Sequence, residues 1–135
     1  MSGNAGEAAA AAAASFAPRR VNKPWGNELI WALTDRYCGK IITIDTGQRL
    51  SLQYHERKDE WIHVLSGRLE LELEDDGGES IATELGPGEG AHVPPLRRHR
   101  YAAIERVELI EVSSPEIDDV VRLEDDYGRE GTSAP

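Results

Sequence analysis

Between residues 40 and 112 the apolar pattern repeats every two residues, in short pieces cut by turn formers, and no long stretch keeps a helical period. Arg68 to Glu74 is the clearest piece: Leu69, Leu71 and Leu73 alternate with Arg68, Glu70, Glu72 and Glu74, and Asp75-Asp76-Gly77-Gly78 follows as a hairpin turn. Lys40 to Thr46 is rich in β-branched residues and stops at Gly47. Arg49 to His55 sets Leu50, Leu52 and Tyr54 against Ser51, Gln53 and His55, and Glu60 to Leu65 ends at Ser66-Gly67. Ser80 to Leu85, a Gly-Pro-Gly turn, Glu89 to Val93 and Val107 to Val112 complete the series. Short strands at this pitch fold as a sandwich or a barrel.

The 135 residues suffice for one domain with one core. The first 18 residues, with seven consecutive alanines from Ala8 to Ala14, read as a disordered tail, residues 19–129 as the β domain, and 130–135 as a second tail. Ile117 to Arg129 is acidic and reads as a short helix or an edge segment. Trp25 and Trp31 are expected to pack the N-terminal arm.

The net charge of −10 disfavours nucleic acid and anionic membranes as partners. A small anion responds to local charge instead, and would need a basic pocket. The single Cys38 excludes an internal disulfide and a cysteine-based zinc cluster. No basic region precedes the N-terminal apolar run, so a cytoplasmic location is expected.

Period-two alternation places Gln53 and His55 on one polar face of their strand. Polar groups facing a small barrel interior need partners, and a metal ion would satisfy them. Glu60 returns close to His55 across the short Glu56–Asp59 loop, and His99, after Pro94-Pro95, is placed to join from a distant strand. Two imidazoles, a carboxylate and an amide oxygen suit one divalent ion, zinc first, then Mn, Fe, Co or Ni. Taken alone, a Gln-x-His pair on a strand is more often plain polar surface. His63 falls on the face opposite Glu60, and His92 has no settled orientation.

At these residues the chain resembles the cupin superfamily. Gly47, Gln53, His55, Glu60 and Gly67 follow its first motif, and Gly88, Pro94 and His99 its second, with Leu96 and Ala103 departing where the family has Gly and Asn. Lys23-Pro24-Trp25-Gly26, Leu50 to His55, Leu109-Ile110-Glu111-Val112, Asp118 to Arg122 and Asp126 to Arg129 are similar to the cupin domain of type II phosphomannose isomerases. The resemblance spans Val21 to Arg129. It implies a jelly-roll barrel (a double-stranded β-helix) and metal-dependent interconversion of mannose 6-phosphate and fructose 6-phosphate. It also implies acid–base work at Lys40, with a surface lysine as the competing reading, and a role for Arg122, with pairing to Asp118 or Asp119 as the alternative. Ser51, Lys58 and Arg98 are candidate substrate contacts. Arg97 and Arg100 are further phosphate candidates, with charge balance on an acidic chain as the competing reading. Lys58 stands where the family has Arg, and lacks the bidentate fork of Arg.

Two other functions compete: a non-catalytic cupin that binds a sugar or other small ligand, and an iron dioxygenase, against which Gln53 in place of a histidine argues. The apolar face of Leu50, Leu52 and Tyr54 needs a cover, so a homodimer is expected.

Overall fold

The computed structural model describes residues 17–132, and the alanine-rich segment at 1–16 and the last three residues lie outside them. The described residues form ten strands and no helix. The strands are β1 (Arg19–Lys23), β2 (Gly26–Leu33), β3 (Cys38–Ile44), β4 (Leu52–Tyr54), β5 (Glu60–Glu74), β6 (Ser80–Leu85), β7 (Gly90–Val93), β8 (His99–Ser113), β9 (Val121–Glu124) and β10 (Gly131–Thr132). All pairings are antiparallel, in the order β1-β2-β3-β8-β4-β9-β10, with β5 joining β6, β7 and β8. The result is an all-β, jelly-roll type of barrel. No helix among the described residues is long and apolar enough to cross a membrane.

The spine is the β5–β8 ribbon, which runs from Glu60↔Ser113 to Leu73↔His99. Drawn straight, the 13 steps from Glu60 to Leu73 would span ~43 Å. Yet Glu60 at one end and His99 at the other meet at 3.2 Å. The ribbon therefore doubles over, and register shifts between Val64 and Leu69 mark the corner. Gly67 makes it: its φ is 83°, and a Cβ there would lie 2.0 Å from the Arg106 carbonyl oxygen. Ser66-Gly67, which the local pattern suggests as a break between two strands, is thus a bulged bend inside one. Gly67→Ala is expected to cost at least ~1–3 kcal/mol of stability through backbone strain alone. Urea denaturation of wild type and variant measures it.

The bend lays two apolar surfaces against each other. Ile62 and Val64 before the corner face Leu69, Leu71 and Tyr101 after it, with Ile42, Ile44, Val107 and Leu109 in the same core. The alternation of Arg68 to Glu74 holds: Leu69 and Leu71 are buried and Glu70 is exposed. Trp25 enters the core, while Trp31 stays partly exposed and rests its indole on Gly39.

Other expectations need correction. Strand structure in Arg49–His55 shrinks to Leu52–Tyr54 plus a bridge at Arg49. The chain kinks there, so both Leu50 and Ser51 are buried, and Leu52 and Tyr54 are half-buried. That face is not bare. The acidic tail forms β9, inserted beside β4, and not a helix; β10 then extends the sheet to Thr132, past residue 129, because Gly131 and Thr132 find backbone partners on Arg122 and Val121.

Candidate metal centre

Four elements bring the candidate ligands together. Gln53 lies on β4 directly opposite His99 on β8, so the two share a face. His55 follows β4, Glu60 opens β5 and His99 opens β8; all three are buried. Both His55 Nε2 and His99 Nε2 lie 3.2 Å from Glu60 Oε1, and the three donor atoms all fall within 4.8 Å of one another.

The second nitrogens decide what this cluster is. His55 Nδ1–H donates to the Asp119 carbonyl oxygen at 2.5 Å and His99 Nδ1–H to the Arg97 carbonyl oxygen at 2.8 Å. A carbonyl only accepts, so each neutral ring carries its proton on Nδ1 and a lone pair on Nε2. Two lone pairs and a carboxylate oxygen then converge on one point, and buried His99 Nε2 meets no hydrogen-bond donor among the described residues. Without a cation that arrangement is repulsive and poorly solvated. With a divalent ion it is a ligand set whose ring orientation is fixed from behind by backbone carbonyls. The residues present fit a metal. Gln53 Oε1 accepts from Ser51 Oγ at 2.7 Å, which orients the amide and leaves the oxygen a second lone pair.

Electrostatics favour the ionised ligand. Burial raises the Glu60 carboxyl, but the Lys58 ammonium, 3.2 Å from Oε2, and the two imidazoles together outweigh it and hold Glu60 well below the usual carboxylate range. Lys58 also reaches Glu111 Oε2 at 3.1 Å. Burial first, and then the Glu60 charge, push Glu111 up to about 8. The Tyr101 hydroxyl donates to Glu60 Oε1 at 3.2 Å, and burial drives its pKa well above 10.

The loop before Glu60 is clamped by Asp119. Its carboxylate accepts from the backbone N–H groups of Glu56, Arg57 and Lys58 at 3.1, 2.7 and 2.9 Å. Burial raises its pKa, and those three donors bring it below the ordinary value. Their contribution is therefore full above about pH 4 and is lost as pH falls through the lowered pKa. Asp119→Ala is expected to weaken metal binding ~10–100-fold, the usual range for outer-shell groups. Calorimetric metal titration checks it. On the other side of the site, Leu96 sits at φ 67° with its N–H donating to the His55 carbonyl oxygen at 2.7 Å. This is the position where cupins usually have Gly. Leu96 is exposed, so Leu96→Gly is expected to stabilise the protein by up to ~1 kcal/mol through relief of left-handed strain, read as a raised melting midpoint.

A cleft that encloses about 50 Å³ lies over the cluster. Gln53, His55, Glu60, Ser51, Lys58, Lys40 and Arg122 all line it. Lys58, expected to contact substrate, is buried between two carboxylates. Lys40 is buried, with Nζ 2.6 Å from Glu28 Oε1. Arg98 does not reach the cleft: one step before His99 it faces outward, exposed, 4.0 Å from Glu74. Arg97 binds the Glu74 carbonyl and Asp76, and Arg100 the Leu50 carbonyl, also away from the cleft lining. His63 is exposed, and His92 pairs with Asp59 on the outer surface. Glu28, Lys23, Arg129 and Glu111, all on the cleft wall, are site residues that sequence reasoning did not single out, although Lys23, Glu111 and Arg129 lie in segments similar to the family.

Residues 40–113 match the family model described as a cupin domain. The chain is 36% identical over 115 residues to the alginate biosynthesis protein AlgA of Pseudomonas aeruginosa, covering 81% of this chain and 23% of that protein. It is 35% identical over 117 residues to mannose-1-phosphate guanylyltransferase of Escherichia coli K12, covering 82% and 23%. The chain thus spans about a quarter of the length of these relatives. Among solved structures, KdgF from Halomonas superposes with a TM-score of 0.65 at 28% identity, over 74% of this chain and 88% of that one. Oxalate decarboxylase of Bacillus subtilis gives a TM-score of 0.70 at 16% identity, over 78% and 30%, a likeness of fold alone. The family match over more than half the chain agrees with the motif spacing and the curled antiparallel sheet: the chain belongs to the cupin family.

Proposed function

We propose that this cupin is a metal-dependent aldose–ketose isomerase acting on a hexose phosphate, with mannose 6-phosphate and fructose 6-phosphate as its pair. The observation that carries this reading is the convergence of two imidazole lone pairs and an ionised carboxylate at the floor of a cleft lined by lysines and arginines. Relatives named for mannose-1-phosphate chemistry support the substrate class.

His55, Glu60 and His99 would hold the ion, with Gln53 as fourth ligand. A bound divalent ion polarises a sugar carbonyl and its neighbouring hydroxyl. The chain supplies the proton-handling groups. Lys40 keeps Glu28 ionised against the effect of burial, and Glu111 holds its proton at neutral pH. Two carboxyls pushed in opposite directions on one cleft wall provide an acceptor and a donor for moving a proton between C1 and C2.

Incubation of the full chain with zinc, manganese or cobalt and mannose 6-phosphate tests the proposal. Fructose 6-phosphate should accumulate, and no turnover with any of these metals sinks it. Lys58 favours a second reading, a binding cupin without catalysis, because the Glu60 carboxylate and the Glu111 carboxyl already occupy its ammonium. Saturable sugar-phosphate binding with no turnover would establish that reading instead.

A further inference from the structure

The cleft wall carries its cations unevenly. Lys58 is taken up by Glu60 and Glu111 at the metal end. Lys23, Lys40, Arg122 and Arg129 also line the cleft, and here one carboxylate serves two ammoniums: Lys40 Nζ takes Glu28 Oε1 at 2.6 Å, which leaves Lys23 Nζ 3.7 Å from Oε2. The Lys23 side chain is only 7% exposed, so its charge is nearly buried and incompletely matched. Burial lowers its pKa, Glu28 opposes this, and the positive charges of Arg122, Lys40 and Arg129 lower it further, which places all four cations around one space. Arg129 is aimed by Asp125, at 2.9 and 3.0 Å. Backbone register relates this cluster to the metal end, because Arg122 pairs with Gln53 and Gln53 pairs with His99. Arg122 thus stands two strands, ~9–10 Å, from the His99 row.

We infer that Lys23, Arg122 and Arg129 form an anion subsite that takes the phosphate monoester of a ligand whose other end reaches the His55–Glu60–His99 cluster. Arg129 gives Nε and Nη2 to Asp125 and keeps Nη1 for a phosphate oxygen, while the Arg122 guanidinium and the Lys23 ammonium add positive charge. The inference rests on the sugar-phosphate reading and moves the phosphate contact from Lys58 and Arg98 to the β1 and β9 side of the cleft.

Calorimetric titration of the full chain with mannose 6-phosphate, mannose and inorganic phosphate, with and without zinc, tests it. Lys23→Met and Arg129→Met should each weaken mannose 6-phosphate binding at least about tenfold, as expected for a lost charged hydrogen bond. Zinc affinity should stay within about twofold of wild type in both, and Arg129→Lys should recover part of the loss. Inorganic phosphate should bind the zinc-free protein with the same sensitivity to both variants. Equal affinity for mannose and its 6-phosphate would overturn the inference, as would inorganic phosphate binding that appears only with zinc. Turnover with an unchanged KM in both variants removes the subsite and leaves the isomerase. Variant-sensitive phosphate-ester binding without turnover removes the isomerase and leaves the subsite.

Discussion

Glu60→Gln should abolish divalent-metal binding at micromolar concentrations, a loss of more than the ~10–100-fold typical of outer-shell groups. The substitution keeps the shape of the side chain and removes its charge. Glu60 Oε1 is the point both imidazole nitrogens face at 3.2 Å, and Lys58 helps to keep it anionic. His99→Ala should have a similar effect by removing a ligand held on the Arg97 carbonyl. Equilibrium dialysis against zinc measures both. Retention of one tightly bound ion in either variant would place the metal elsewhere.

The second large effect is on folding. Lys58→Met removes the one ammonium between Glu60 and Glu111, and breaking a buried ion pair costs ~3–5 kcal/mol. The cost should depend on pH. Glu111, raised to about 8, binds its proton more tightly in the folded state. Its stabilising contribution is therefore present below its unfolded pKa and lost as pH rises through about 8. Without Lys58 the ionised pair is left uncompensated, so the deficit of the variant should grow from pH 6 to pH 9. Lys58→Arg keeps the charge and should lose less. Urea denaturation of the metal-free proteins at both pH values separates these outcomes, and a deficit that shrinks with rising pH would contradict the assignment.

What was legible in the sequence was local. Alternation in Arg68 to Glu74 exposes the core face directly, because side chains in a strand alternate strictly. The Gln53, His55, Glu60 and His99 set came from spacing matched to a family pattern, since no local rule connects His99 to a residue 39 positions earlier. The bend at Gly67 was invisible as a bend. A Ser-Gly pair reads as a turn, and only the continuous partner β8 shows that the strand passes through it. Glu111 and Glu28 looked like ordinary polar positions. Their burial follows from partners on neighbouring strands and a loop, with Lys40 opposite Glu111 and bonded to Glu28, and Lys58 reaching Glu111 from the loop. Arg98 failed by one residue of period, which on a strand is the difference between inside and outside.

The metal account turns most on which imidazole nitrogens bind. Cobalt(II) titration of the metal-free full chain, followed by proton NMR, reads this directly. One equivalent should shift two exchangeable ring N–H signals far downfield, because both rings coordinate through Nε2 and keep Nδ1–H on the Asp119 and Arg97 carbonyls. No shifted ring N–H signal at one equivalent, or signals that survive unchanged in Glu60→Gln and His99→Ala, would contradict it.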